Sequence, residues 1–319
     1  MTVRRALVTG GAGFIGSHVA EALASDGYDV TALDDLSSGR RSNLAAGIRL
    51  EELDIRSPEA AQLVSKGGFS VVCHLAAQID VRKSVADPVA DATRNILGSL
   101  NLLEAARQAS APPRFIFSST GGAIYGDFVE PPSAETEPKN PESPYGIAKL
   151  SVEYYLAYYG RLHGMNVIAL RYANVYGPRQ DPHGEAGVVA IFCRRILAGT
   201  PLTVFGDGLQ TRDYVYVGDV ARANALAATA TLPAAGRIDE RAWNIGTGVP
   251  TSVVELAAAL ERATGRTTKV EHAPARTGEQ QRSFVMVQKA ASSLGWAPKV
   301  TLEAGLAQTF DWFRTNAAS

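Results

Sequence analysis

Ala6-Leu7-Val8-Thr9-Gly10-Gly11-Ala12-Gly13-Phe14-Ile15-Gly16-Ser17-His18 is the stretch that decides how this chain folds. A short apolar run ends in glycines, and a helical spacing (Val19, Ala20, Leu23, Ala24) begins at once. Strand, tight turn, helix is the setting that a dinucleotide-binding loop requires. Gly10 permits the turn, Gly13 lets backbone N–H groups close on a pyrophosphate, and Gly16 lets helix pack on strand. The helix N-terminus, where Phe14 and Ile15 stand, then faces the phosphate charge. The spacing is G-x-x-G-x-x-G, one residue wider at its start than the dehydrogenase G-x-G-x-x-G. A glycine cluster alone is equally a plain turn, so its weight comes from the residues further along the chain.

A second apolar run, Val30 to Leu33, ends in Asp34. That puts a carboxylate at the tip of the next strand, where it can accept a hydrogen bond from a ribose 2′-OH and repel a 2′-phosphate. NAD is therefore the expected cofactor. Arg40 and Arg41 raise NADP as the alternative, but they sit beyond the strand tip in a Ser/Gly loop and read as surface charge.

Strand patterns at 6–9, 29–33, 48–52, 70–75, 114–118 and 166–172 alternate with helical patterns near 14–25, 58–66, 88–109 and 145–163. Such alternation predicts an α/β fold: a Rossmann-like, doubly wound parallel sheet with ligands at the carboxyl ends of its strands. After Gly177-Pro178 the segments shorten and turns multiply. A strand at 213–217, a helix at 219–230 and a strand at 243–245 are expected to return to the main sheet. The reading is an NAD-binding domain of residues 1–177 plus about 213–246. About 178–212 and 247–319 form a smaller, discontinuous C-terminal substrate-binding lobe, closing with a helix near 302–314 whose Leu302, Leu306, Phe310 and Phe313 share a face.

Ser143-Pro144-Tyr145-Gly146-Ile147-Ala148-Lys149 opens one of these helices. Tyr145 and Lys149, four residues apart, project from one face. A phenol and an ammonium held together can do redox proton chemistry beside a nicotinamide. A free tyrosine has a pKa of about 10, so reaching about 7 takes roughly 4 kcal/mol of preference for the anion. Lys149 and the positive nicotinamide are the expected sources.

At 319 residues and 46% hydrophobic, the chain can bury one large core or two lobes. A net charge of −1 gives no electrostatic case for nucleic acid or an anionic membrane as partner. No run of 18 apolar residues exists, and Arg4-Arg5 lead straight into the glycine-bearing strand, leaving no room for a signal peptide. Cys73 and Cys193 lie in apolar surroundings and read as free thiols in a reducing compartment. The five His residues show no metal-ligand spacing. A cytoplasmic enzyme without a metal is the expectation.

With these motifs together, the chain resembles the extended short-chain dehydrogenase/reductase family, and within it the UDP-glucose 4-epimerase branch. The likeness rests on Gly10 to Gly16, Leu33-Asp34-Asp35-Leu36, Asp54-Ile55-Arg56, His74-Leu75-Ala76-Ala77, Ser118-Ser119-Thr120, Tyr145-x-x-x-Lys149, Arg171-Tyr172-x-Asn174-x-Tyr176-Gly177-Pro178 and Gly206-x-Gly208-x-x-x-Arg212-Asp213. The resemblance implies that Asp54 and Ile55 flank the adenine and that Ala76 and Asn95 line the cofactor channel. It implies that Thr120 holds the reacting sugar oxygen, that Asn174, Arg212 and Arg276 contact the diphosphate of a UDP-sugar, and that Glu279 lies near the uridine ribose. Plainer roles exist: a turn cap for Thr120, a turn residue at Asn174, a surface ion pair between Arg212 and Asp213. Ser283 falls where some relatives carry a bulky Tyr that excludes N-acetyl sugars, so a UDP-N-acetylhexosamine is implied as a further substrate. Met286 departs from an Asp common in relatives, read as a local packing change. The family also implies a homodimer through the helices 88–109 and 145–163, for which Ala105, Ala106, Ala109, Tyr154, Leu156 and Tyr158 are candidates.

Sugar 4,6-dehydratases of the family carry Asp and Glu after the active Thr to remove a C5 proton and expel a C6 hydroxyl. Here Gly121-Gly122 come directly after Thr120. The expectation is an isomerase that turns over one carbon, C4, with proton transfer through Tyr145. The rival readings are an epimerase of another nucleotide sugar such as UDP-glucuronate, a nucleotide-sugar dehydratase or decarboxylase, and a non-catalytic NAD-binding sensor.

Overall fold

In the computed structural model, which describes residues 3–182, 187–276 and 280–316, the first half is a run of parallel strands and crossover helices. β1 (Arg4–Thr9), α1 (Phe14–Ser25), β2 (Tyr28–Asp34), β3 (Arg49–Glu52), α2 (Pro58–Lys66) and β4 (Val71–His74) come first. Next are α3 (Val81–Ala86), α4 (Pro88–Ala92), a π-helical turn at Thr93–Leu97, α5 (Gly98–Gln108), β5 (Arg114–Thr120), α6 (Pro144–His163) and β6 (Val167–Tyr172). The helix expected over 88–109 is thus one helical run interrupted by a wide turn.

Seven parallel strands form the sheet in the order β10-β6-β5-β4-β1-β2-β3, with β10 at Ala242–Ile245. The order reverses between β1 and β4, so the cleft beyond their carboxyl ends is the topological switch point. Both faces are covered, which is why the strands read as near-continuous apolar runs. Ala6 and Val8 point to a face packed by Val19, Ala20 and Leu23 of α1, and Leu7 points to the face packed by Leu102 and Leu103 of α5 and Val152 and Leu156 of α6.

After β6 come β7 (Asn174–Tyr176), α7 (Val188–Leu197), β8 (Leu202–Phe205), β9 (Thr211–Tyr216) and α8 (Val217–Thr229). Beyond β10 lie β11 (Pro250–Ser252), α9 (Val253–Thr264), β12 (Val270–Ala273), β13 (Arg282–Ser283), α10 (Gln288–Leu294) and α11 (Leu302–Thr315). The segment expected at 213–217 does not return to the main sheet. As β9 it pairs with β7, β11 and β13 in a second sheet, while 243–245 does join the main sheet as β10. A short apolar strand carries no mark of its partner, and here register is set by the loops around it. The lobe core gathers Phe192 and Ile196 of α7, Leu256 and Leu260 of α9, and Leu306, Phe310 and Phe313 of α11. Ala290 and Leu294 of α10, with Trp296, pack instead on the main sheet's α1/α8 face, although the sequence pattern assigns them to the lobe. Cys73 and Cys193 are buried free thiols. Among the described residues no helix is long and apolar enough to cross a membrane.

Candidate active site

The glycine turn lies on the end of the sheet with no side chain between. Gly10 takes φ +65°, and a Cβ on it would stand 2.8 Å from the Ala76 nitrogen just past β4. A Cβ on Gly16 would lie 2.0 Å from the Gly10 carbonyl oxygen, so helix and turn approach only because residue 16 is glycine. Gly13 caps α1 without a side-chain hydrogen bond, and among the described residues the first-turn N–H groups have no side-chain acceptor. Half-buried Phe14 and Ile15 open the helix there. An uncapped helix start over a side-chain-free turn fits a dinucleotide pyrophosphate.

Asp34, at the end of β2, is nearly buried and accepts hydrogen bonds from the Ala12 and Leu36 N–H groups, both at 2.9 Å. Burial pushes its pKa up, opposed by those amides. It therefore ties the glycine loop to β2, and its two oxygens keep acceptor capacity for a ribose hydroxyl. Arg41 pairs with exposed Glu52 at 3.1 Å and Arg40 is exposed. Asp54 is gripped by the Arg56 side chain, which holds its carboxyl below the usual range, while Ile55 packs into the core against Gly98.

Around the end of β4, buried side chains set the wall. His74, which burial pushes down to about 3, is a neutral imidazole between Thr9 Oγ1 at 2.7 Å and Ser99 Oγ at 2.9 Å. Asn95 turns inward: it accepts from the Gln78 N–H at 2.8 Å and donates to the Gln78 carbonyl and to Asp91 Oδ1, both at 2.9 Å. Its amide holds the segment at Gln78. Asp91 is buried, and its Oδ2 has no hydrogen-bond partner among the described residues.

α6 begins as the sequence predicts, with Ser143 as N-cap accepting from the Gly146 N–H at 3.1 Å and Pro144 in the first turn. The Tyr145 N–H donates to Ser84 Oγ of α3 at 3.3 Å. Lys149 is buried and donates to the Ser118 carbonyl at 2.7 Å. Its Nζ lies 4.7 Å from the Phe117 ring centroid and 5.8 Å from that of Tyr145. A Cβ on Gly146 would meet the Ala123 carbonyl at 2.8 Å, so the helix start straddles the β5 end on which Thr120 sits.

Burial pushes the Lys149 ammonium down to about 7, with Asp91 and Glu153 opposing. Burial, and after it the Asp91 carboxylate, pushes the Tyr145 phenol above its ordinary value. This is opposite to the expected direction: an amine that lies over the ring and bonds a carbonyl does not by itself acidify the phenol.

Thr120, Asn174 and Ser283, from β5, β7 and β13, converge on Gly122. Their side-chain oxygens lie within 4.0 Å of the point a Cβ on Gly122 would occupy. Arg212 sits in register with Ser283 on β9, half-buried, and donates to the Thr211 carbonyl at 2.9 Å. Asp213 is no surface partner of Arg212. It is buried and accepts from the Thr247 N–H at 2.7 Å, Thr247 Oγ1 at 2.6 Å and the Gly248 N–H at 3.0 Å. Exposed Arg276 places its guanidinium 3.8 Å from the Phe205 ring centroid. Glu279 lies outside the described residues.

Sequence reading missed Ser84, Gln78 and Asp91, whose roles arise from contacts across the fold. It also missed a buried cluster behind Thr120. Arg171 grips Glu153 at 2.6 Å and Asp239 at 3.2 Å, Ser119 Oγ donates to Glu153, and Lys139, in the loop between β5 and α6, joins Asp239. That cluster fastens β5, β6, α6 and the loop leading to Tyr145 together. Of the predicted bundle residues, Ala105, Ala106 and Leu156 face the core, whereas Ile147, Tyr154, Tyr155, Tyr158 and Leu162 form an exposed stripe on α6.

The profile of the NAD dependent epimerase/dehydratase family matches residues 6–246. The UDP-glucose 4-epimerase of Mycolicibacterium smegmatis is 44% identical over 318 residues, covering 98% of this chain and 99% of that one. The crystal structure of a Thermotoga maritima UDP-glucose 4-epimerase with UDP-glucose is 48% identical with a TM-score of 0.92, covering 98% of this chain and 99% of that one. A Thermus thermophilus UDP-glucose 4-epimerase in complex with NAD is 45% identical with a TM-score of 0.89 and the same coverage.

Proposed function

The chain belongs to the NAD-dependent epimerase/dehydratase family, and within it we infer that it is an NAD-dependent isomerase, a UDP-glucose 4-epimerase that interconverts UDP-glucose and UDP-galactose through a 4-keto sugar. The observation that carries this reading is the Tyr145/Lys149 helix laid across the β5 end at Thr120, where Gly121 and Gly122 stand in place of the carboxylates a dehydratase needs.

NAD, seated on the Gly10–Gly16 turn with Asp34 at its ribose, would supply the hydride acceptor and a positive charge. The remaining work belongs to side chains. Tyr145 takes the proton from the C4 hydroxyl and returns it, with Thr120 holding that oxygen. Lys149 fixes the site at the Ser118 carbonyl, and burial brings its pKa to about 7, so it can carry or release a proton near neutral pH. Asn174, Arg212 and Arg276 hold the diphosphate, so the ketone is retained by its nucleotide while it turns. Burial raises the phenol in the protein alone, so a positive nicotinamide beside it would favour its deprotonation.

The partner implied is the UDP-sugar. A homodimer through α5 and α6 is supported by the exposed aromatic stripe on α6, and a cytoplasmic setting by two unpaired buried thiols. Buried Ser283, small where a bulky residue would close the site, favours the N-acetylhexosamine pair as second substrates.

Conversion of UDP-galactose to UDP-glucose by purified protein, read by chromatography, tests the reading. Tyr145→Phe should lower turnover by about 10²–10⁴-fold with cofactor still bound. Undiminished turnover in that variant would end it.

A further inference from the structure

Gly121 and Gly122 stand side by side, yet the fold accounts for only one of them. A Cβ on Gly121 would meet Val285 Cγ1 at 3.0 Å and the Arg171 carbonyl at 3.2 Å, so packing of β5 and β6 requires a glycine there. Gly122 has no such reason. Its φ lies outside the left-handed region, and the nearest atoms to its Cβ position are Asn174 Oδ1 at 3.7 Å, Thr120 Oγ1 at 3.9 Å and Ser283 Oγ at 4.0 Å, all ordinary contact distances. Among the glycines of ordinary φ whose surroundings are described, every other one would bring its Cβ within 3.4 Å of some atom.

The three neighbours share a second property. None of these side-chain oxygens has a hydrogen-bond partner among the described residues, and none is sealed from solvent. Three accessible, unpaired oxygens from three separate elements frame one gap, and the missing side chain of Gly122 is what leaves it open. Such a frame suits a ligand bearing several hydroxyl groups, which can both donate and accept. It does not suit an apolar group.

We propose that Gly122 is a specificity-determining residue: having no side chain, it leaves room for the pyranose ring beside the oxygen that reacts. The inference rests on the functional reading above for the orientation of the sugar, with Thr120 at C4 and Ser283 toward C2. The backbone tolerates a methyl at 122, so any loss on substitution is a loss of ligand space rather than of fold. A larger side chain fills the gap and excludes the sugar while leaving the nucleotide half of the ligand untouched.

The test compares wild type, G122A and G122V for binding of UDP and of UDP-glucose by calorimetry, alongside thermal melting. UDP affinity should stay within about twofold, while UDP-glucose affinity falls modestly in G122A and by about tenfold or more in G122V. Parallel changes for both ligands, or no change for either, would overturn the proposal. G122A keeps the test decisive if G122V proves unstable, because its methyl meets nothing closer than 3.7 Å. Binding is read without turnover. Wild type that binds UDP-glucose but epimerises nothing sinks the functional reading and leaves the Gly122 comparison intact.

Discussion

Replacing Lys149 by methionine should make the protein more stable and catalytically poor, and the size of the gain should depend on pH. The ammonium is nearly buried, and its pKa falls from 10.5 to about 7. At about 1.36 kcal/mol per pH unit, holding the charged form costs about 5 kcal/mol. Methionine removes that cost but leaves the Ser118 carbonyl without its 2.7 Å partner, a loss of about 1–3 kcal/mol. The variant should therefore gain about 2–4 kcal/mol near pH 6.5. The sign comes from linkage. Below the folded pKa both states carry the proton and the full penalty is present. Between about 7 and 10.5 the unfolded chain holds the proton that the folded chain has shed, so wild-type stability rises with pH and the methionine advantage shrinks. Urea denaturation of nucleotide-free wild type and variant should show the difference falling by about 2 kcal/mol between pH 7 and pH 9. A difference that stays flat across that interval would refute the buried-cation account, and with it the view that stability is traded for a usable charge at this site.

Packing sets two further outcomes. Glu153→Ala leaves the fully buried Arg171 guanidinium with only Asp239 as a charged partner and should cost about 3–5 kcal/mol in chemical denaturation; a joint change of Arg171 and Glu153 to Met and Leu should recover most of it. Glutamates at both Tyr154 and Tyr158, exposed on α6, should weaken self-association by about 10³-fold, seen in sedimentation as a shift to monomer.

The parts of this molecule that are legible in the sequence are those in which neighbours along the chain do the work. The glycine turn, α1, α2 and the shared face of Tyr145 and Lys149 come from local spacing and capping, and Asp34 is placed because strand tips end apolar runs. Residues whose role depends on a distant partner are not legible. Arg171 reads as one letter of a motif until Glu153, Asp239 and Tyr125 surround it. Asp91 looks like any helix carboxylate until Gln78 and Asn95 close over it. β9 illustrates a third case: six residues of good strand pattern carry no information about which sheet they enter. The direction of the Tyr145 shift is misjudged for a related reason, since helical spacing locates the amine but not the carbonyl it prefers.

The path of the chain between the main sheet and the lobe also bears on how a sugar could turn. The backbone passes from one to the other after β6, back after β9, out again after β10, back after β13 and out once more beyond Trp296. A hinge works when a few residues absorb the rotation, and here every connection would have to flex in concert, with Asp213 cross-tying Thr247 and Gly248 besides. Such lacing opposes a simple hinge between sheet and lobe, so reorientation during the reaction is left mainly to the ligand.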